Sequence, residues 1–456
     1  MSERMPNWGI DPVPERFRLL GALDQFLLWG NLGVSLLVIV IGSFLVPSLS
    51  LRDALIAILL GSLIGNVMLG TAGLIGADAR VPGMVLMRAP LGRVGSFAPT
   101  VLNVLQCLGW ATFEIIIIAA AAAALSDELL GFGGQDVWTL VFGAVAAVLA
   151  LVGPVGVVRR FIRKFAVYFV LISLVYLTWW ALDTASVREL WNRQGEGGTT
   201  IWLGMDLVIA VTVSWVPLIP DYSRFSRDRR SAFVGAGLGY FFAGSWMLAL
   251  GAIVVLTRGV SEPTQLPAAV AAAGLTAALA LLAITVDETD EAFANVYSSG
   301  VSAQNVLAGV PQRALVGGAA VIATLTALVV DLREYQTFLL LLGAFFVPLF
   351  GVLLAHWLLG GASYSERDIF ASPTVRLELL TAWLAGFLVY QWLVPIGPTW
   401  WLDAVAEVRP GTAGLDAIGA SVPSFLASFA LATLAVAVTR TRRGAPLTRR
   451  GGLSGT

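Results

Sequence analysis

The 456-residue chain has a single cysteine, Cys107, and a single histidine, His356. A lone cysteine allows no intramolecular disulfide and no thiolate metal cluster, so redox chemistry is not expected. No nucleophile motif or metal-ligand spacing accompanies His356, which lies beside Trp357 near the end of an apolar stretch and reads as an interface residue. Charge is scarce too. Asp, Glu, Lys and Arg make up 12% of the residues, against about 25% in soluble domains, which excludes an ordinary soluble protein. With a net charge of −1 and its basic residues scattered through short loops, the chain has no basic, aromatic-interleaved patch, so no nucleic acid partner is expected. Alternating segments of about ten residues, the mark of an outer-membrane barrel, are missing. The first 21 residues are polar and lack an apolar core before a small-residue cleavage site, so no cleaved signal peptide is expected.

What is present is hydrophobic: 57% of the residues, with 48 Gly and 15 Trp and a mean hydropathy of +0.83. Such a composition suits helices packed closely in a lipid bilayer and anchored by aromatic residues at its surfaces. Apolar stretches long enough to cross about 30 Å of hydrocarbon lie near 22–46, 54–76, 96–124, 138–158 and 165–183. A second five lie near 203–220, 232–256, 270–303, 314–330 and 336–358, and a last pair near 377–396 and 420–439. The expected fold is all-α and polytopic, with twelve transmembrane helices: two groups of five (22–183 and 203–358) plus two (377–439), between an N-tail (1–21) and a C-tail (440–456). Of the 28 Lys and Arg, 22 fall in the tails and the even-to-odd loops and 6 in the opposite loops. Both termini are therefore expected to be cytoplasmic, in the inner, cytoplasmic membrane. Clusters such as Arg159, Arg160, Arg163 and Lys164, or Arg224, Arg227, Arg229 and Arg230, read first as topology signals.

Four spans depart from bland Leu, Val and Ala. The first carries Trp29-Gly30-Asn31-Leu32-Gly33-Val34-Ser35 in mid-run. Its two glycines indicate either a break whose freed carbonyls bind a cation, or a glycine-lined helix crossing. The third span places Asn103, Gln106, Trp110 and Glu114 on one helix face. A carboxylate inside such a helix is costly unless it faces a cavity or partner, and Trp110 one turn away offers a flat surface for a planar ligand. The sixth span contains Thr212-Val213-Ser214-Trp215-Val216-Pro217-Leu218-Ile219-Pro220-Asp221, whose prolines disrupt the helix ladder. Two breaks, five spans apart, point to a binding site between inverted repeats. The eighth span reaches Asp287-Glu288-Thr289-Asp290-Glu291 and runs on through Asn295 and Ser298 with no turn residue. On one straight helix Asp287, Asp290, Glu291 and Ser298 share a face, Asn295 lies at its edge and Thr289 points away. Acids inside the membrane need a cation or protons.

These residues give the chain a resemblance to the nucleobase–cation symporter family, in its purine and cytosine permease branch, related to hydantoin transporters. The segments that carry it are Gly73-Leu74-Ile75-Gly76-Ala77, Leu102-Asn103-Val104-Leu105-Gln106 with Gly109-Trp110, Ser214-Trp215-Val216-Pro217, Pro220-Asp221-Tyr222-Ser223-Arg224-Phe225, and Ala294-Asn295-Val296-Tyr297-Ser298. The resemblance implies a leucine-transporter-like fold and import of a cytosine- or purine-like heterocycle by alternating access, coupled to a cation, with sodium expected and a proton the alternative. Carried over, it implies that Trp110 stacks on the solute and Gln106 and Glu114 contact it. Asn31, Thr212, Ser214, Trp215 and Asn295 complete the candidate solute contacts. Thr212 stands where family members carry a second aromatic, so Trp215 is the other candidate for that ring. For the ion, the resemblance implies carbonyls of Gly30 and Gly33 with a hydroxyl pair on the eighth span. That pair is replaced here by acids, giving Asp287, Thr289, Asp290 and Glu291 as candidate ligands.

The alternatives are a proton-coupled carrier of the same fold for an amino acid or a pyrimidine vitamin precursor, and a polytopic membrane enzyme, which lacks a recognisable catalytic set. No organic cofactor and no obligate protein partner are expected. The solute and the lipid bilayer are the partners.

Overall fold

Serine, threonine or aspartate begins several of the helices, because their side-chain oxygens satisfy the orphan N–H groups of a first turn. Ser50 Oγ accepts from Asp53 N at 3.1 Å, Thr200 Oγ1 from Leu203 N at 3.3 Å and Asp228 Oδ1 from Ser231 N at 2.7 Å. The Ser231 N–H and hydroxyl hold the Asp228 carboxyl below the usual carboxylate range. Ser35, inside the first apolar stretch, accepts from Leu37 N at 3.1 Å and starts a new helix there.

The computed structural model describes residues 9–152, 167–183, 185–260, 265–331, 334–409 and 418–442. The end of the stretch near 138–158, the cluster Arg159, Arg160, Arg163 and Lys164, and most of the C-tail lie outside the described residues. Among those described, the chain is helical and contains no named strand. The main helices are α1 (Ala22–Asn31), α2 (Leu36–Ser43), α3 (Leu51–Ala79), α4 (Phe97–Leu130), α5 (Gln135–Val152), α6 (Val167–Leu182), α7 (Ile201–Val213) and α8 (Ile219–Ser223). They continue as α9 (Arg229–Arg258), α10 (Leu275–Asp287), α11 (Thr289–Ala303), α12 (Gln312–Ala327), α13 (Tyr335–Leu359), α14 (Leu377–Leu393) and α15 (Ser421–Arg442).

Six of these helices are long and apolar enough to cross a membrane, and α1 and α2, bent by 62° at their break, make up to seven. The first stretch is therefore interrupted where Gly30 and Gly33 stand. Pro217 likewise lies between α7 and α8, with Pro220 in the first turn of α8, and α10 passes to α11 at Glu288.

The glycines of the first span stand both at a break and at a helix crossing. The same span that breaks also crosses α9 at close range. A Cβ on Gly33 would lie 2.9 Å from Ala243 Cβ, one on Gly42 2.0 Å from the Leu248 carbonyl oxygen, and one on Gly251 1.9 Å from the Ile39 carbonyl oxygen. Backbones approach this closely in membranes because small residues permit it. Gly42→Ala should therefore destabilise the protein by about 1–3 kcal/mol or more, the usual cost of overpacking. A melting temperature of the purified variant equal to wild type would remove this account of the α2–α9 crossing.

The outer surface is the apolar one. Val101 and Leu105 on α4 are 54% and 58% exposed, while Asn103, Gln106 and Glu114 on the same helix are at most 1% exposed. Polar groups that have no water in lipid are turned inward, where protein groups can satisfy them.

Candidate functional site

The break between α1 and α2 is where the acids of α10 and α11 dock. At the end of α1, Asn31 Nδ2 donates to Asp290 Oδ2 at 2.7 Å and to Asp287 Oδ1 at 3.1 Å. At the start of α2, Glu288 takes the orphan donors: Ser35 Oγ donates to its Oε1 at 2.7 Å and Leu36 N to its Oε2 at 2.7 Å. A carboxylate belongs there, since the N–H groups and the positive end of the α2 dipole face it.

Glu288 does more than cap. Together with Glu114 of α4 and Glu291 of α11 it forms a buried triad in which one oxygen from each carboxylate lies within 4.8 Å of the other two. The three side chains are at most 2% exposed. Neither Glu114 oxygen, nor Oε1 of Glu291, receives a hydrogen bond. Among the described residues no Lys or Arg forms an ion pair with any of the five acids Glu114, Asp287, Glu288, Asp290 and Glu291. Like charges packed this closely in a low-dielectric interior must hold positive charge as protons or a cation.

Aromatic rings flank the triad. Trp110, one turn from Glu114, lies edge-on to Tyr335 at 5.6 Å and to Phe338 at 5.9 Å, and Phe113 tilts against the same two rings. Tyr335 is within electrostatic reach of Glu114 and Glu291, as is Tyr240 of α9. Trp215 Nε1 donates to the Tyr240 hydroxyl at 3.0 Å, and its ring meets Trp29 edge-on at 5.6 Å. Below Trp110, Gln106 Nε2 bonds the Ser214 carbonyl at 2.8 Å and Asn103 Oδ1 at 2.7 Å, while Gln106 Oε1 is left without a donor.

The structure thus gathers Asn31, Trp110, Glu114, Asp287, Asp290 and Glu291 about one locus. Gln106 joins α4 to the α7–α8 break, and Ser214 serves it through its carbonyl, since its own hydroxyl turns back to Val211 O at 2.7 Å. Asn295 donates to the Glu291 carbonyl at 3.2 Å within its own helix. Gly30 and Gly33 sit at the break and face α9.

Two candidates are not brought to the site. Thr212 packs over Gly65 of α3, where a Cβ would meet Thr212 Cβ at 2.7 Å. Thr289 is half-exposed and donates to the Val286 carbonyl at 2.7 Å, one turn back. Arg224, read as a topology signal, is 2% exposed and bonds the Tyr297 hydroxyl and the Gly9 carbonyl, both at 3.1 Å.

Glu288, Ser35, Trp29, Tyr240 and Tyr335 were not among the candidates. Ser35 carried a signal, a serine directly before the run Leu36 to Ile41, which is the pattern of a helix start. The aromatic residues carried none, because nothing in their own segments says which helix they meet.

A family model described as permease for cytosine/purines, uracil, thiamine, allantoin matches residues 12–396. The cytosine permease of Escherichia coli (strain K12) is 23% identical over 78% of this chain and 82% of its own. The hydantoin permease of Microbacterium maritypicum is 26% identical over 44% of this chain, and the match spans 43% of that protein's length. Among solved structures, Mhp1, a nucleobase-cation-symport-1 family transporter in a closed conformation with bromovinylhydantoin bound, superposes with a TM-score of 0.74. It is 18% identical, and the match covers 98% of each chain.

Proposed function

Because the chain belongs to the family of permeases for cytosine/purines, uracil, thiamine and allantoin, we propose that it is a secondary active transporter that imports a planar, nucleobase-like heterocycle together with a cation. One observation carries this reading. Trp110 and Glu114, on one face of α4, meet Glu288 and Glu291 from the α10–α11 turn at the α1–α2 break, which supplies a stacking surface and hydrogen-bond acceptors at one point. The stretches 22–183 and 203–358 act as the two inverted repeats, rocking about this point by alternating access, with 377–439 outside them. Both termini face the cytoplasm, and the membrane is the inner, cytoplasmic one. A membrane enzyme is set aside, since the relatives are permeases.

We divide the acids by partner. Asp287 and Asp290, tied to Asn31, form the ion half with carbonyls of Gly30 and Gly33, and sodium is the ion in this reading because hard oxygen ligands suit it. Glu114, Glu288 and Glu291 face the solute. Proton coupling is the second reading, favoured by the closeness of the three glutamates.

Binding and uptake by the purified, reconstituted protein test this, with cytosine, uracil, purines, hydantoin and allantoin, each with and without sodium. Sodium should raise solute affinity, and by linkage solute should raise sodium affinity equally. Trp110→Ala should weaken solute binding about 10- to 100-fold through loss of the stacking surface, and should also lower the melting temperature, since it leaves a cavity against Tyr335 and Phe338. Unchanged uptake by that variant would make Trp110 a packing residue. Uptake indifferent to sodium and driven by a proton gradient would replace sodium with the proton.

A further inference from the structure

The charge on the solute follows from how the acids are compensated. Asn31 serves Asp287 and Asp290, and the start of α2 serves Glu288. Glu114 and Glu291 have only acids beside them: Glu114 reaches Glu288 and Glu291 at hydrogen-bonding range, and both oxygens of the first and one of the second are buried with no amide, hydroxyl or cationic donor. They lie with Glu288 within 4.8 Å, beside the rings of Trp110, Tyr335 and Phe338.

Protons alone would neutralise the glutamates without using the rings, and three kinds of ligand can be compared with that. A metal ion takes a shell of six or so hard oxygens and makes no use of aromatic walls. A neutral base donates hydrogen bonds but leaves the buried charge uncompensated, which is costly in a low dielectric. A planar organic cation uses every part of the site, since its N–H groups meet carboxylate oxygens and its charge is attracted to ring faces.

Resting on the heterocycle-carrier reading above, we propose that the solute is bound and carried as a cation, a planar heterocycle with an amidine edge. Its ring N–H and adjacent exocyclic amino group match the two free oxygens of Glu114 as a two-pronged pair. Glu291 faces the remaining charge, and Trp110 covers the ring.

One pyrimidine scaffold tests this on the unmodified full chain. Uracil, cytosine and 2,4-diaminopyrimidine differ by exchange of carbonyl oxygens for amino groups, and at mildly acidic pH only the last is predominantly a cation. In equilibrium competition the diamino compound should bind about tenfold or more tighter than either neutral base. Glu114→Gln should weaken it about thirtyfold or more, as truncating one partner of a buried charge pair does, and should weaken cytosine and uracil less. Should the neutral bases bind as tightly as the diamino compound, the cationic solute is wrong while the heterocycle carrier stands. Should none of the three bind, and sodium or manganese alone stabilise the protein, the heterocycle reading falls with it. The comparison of the three ligands on the unmodified chain decides even if the variant fails to fold.

Discussion

Glu288→Ala should reduce uptake of every solute about 100-fold or more, even where the variant is folded. The carboxylate accepts Ser35 Oγ and Leu36 N, both at 2.7 Å, and hydrogen bonds to a charged group contribute about 1.5–3 kcal/mol each. Losing both would remove about 3–6 kcal/mol from the arrangement in which α2 docks on the α10–α11 turn. That arrangement holds the Asn31 clasp and the glutamate triad in register, so solute and ion sites should loosen together. Glu288→Gln keeps one acceptor oxygen and should fall between the two. Ligand-induced thermal shifts separate this from general unfolding: the alanine variant should melt cooperatively yet gain nothing from solute. Wild-type uptake by a folded Glu288→Ala would show that the α2 cap plays no part in transport.

Asp206→Ala should cost more stability than any other single carboxylate removed away from the triad. Asp206 lies on α7, 4% exposed, and its two oxygens accept Ala420 N at 2.6 Å and Ser421 N at 2.9 Å, the first N–H groups of α15. It therefore caps a helix more than two hundred residues away, at the positive end of that helix's dipole. Alanine leaves two buried N–H groups unpaired at about 1–3 kcal/mol each, so the expected loss is about 2–5 kcal/mol. A lowered melting temperature, with uptake per folded molecule largely kept, is the result that fits. Asp206→Asn, which retains one acceptor, should lose about half as much. A melting temperature within a degree or so of wild type would mean that water, not Asp206, satisfies the start of α15.

How much of this was legible depended on the range of the interaction. The inward face of α4 was readable because Asn103, Gln106, Trp110 and Glu114 recur at the helical period against an apolar outer face. The breaks in the first and sixth spans were readable because glycine and proline act on their own backbone. The depth of the acids was readable from the lack of any turn residue after Glu291.

Glu288 is hidden in the sequence because on a single straight helix it points away from the face shared by Asp287, Asp290 and Glu291. The structure interrupts that helix at Glu288 itself, between α10 and α11, and directs its carboxylate to the start of α2. Thr212 and Thr289 failed for a related reason. Each has a hydroxyl at a plausible position in the chain, but Thr212 is turned to Gly65 and Thr289 to its own helix. Asp206 showed no motif at all, because its partners are backbone groups at the far end of the chain.

By itself the sequence determined the family, the all-helical membrane fold, the positions of the breaks in the first and sixth spans and the side chains that line α4. Each of these is set by local composition, by period or by a residue acting on its own backbone. Only the tertiary structure decided that Glu114, Glu288 and Glu291 converge, that Asn31 and Ser35 divide the acids between them, and that Tyr240 and Tyr335 close the aromatic wall. Those contacts join residues up to 259 positions apart, and where two helices cross, a small change in rotation exchanges one facing side chain for another.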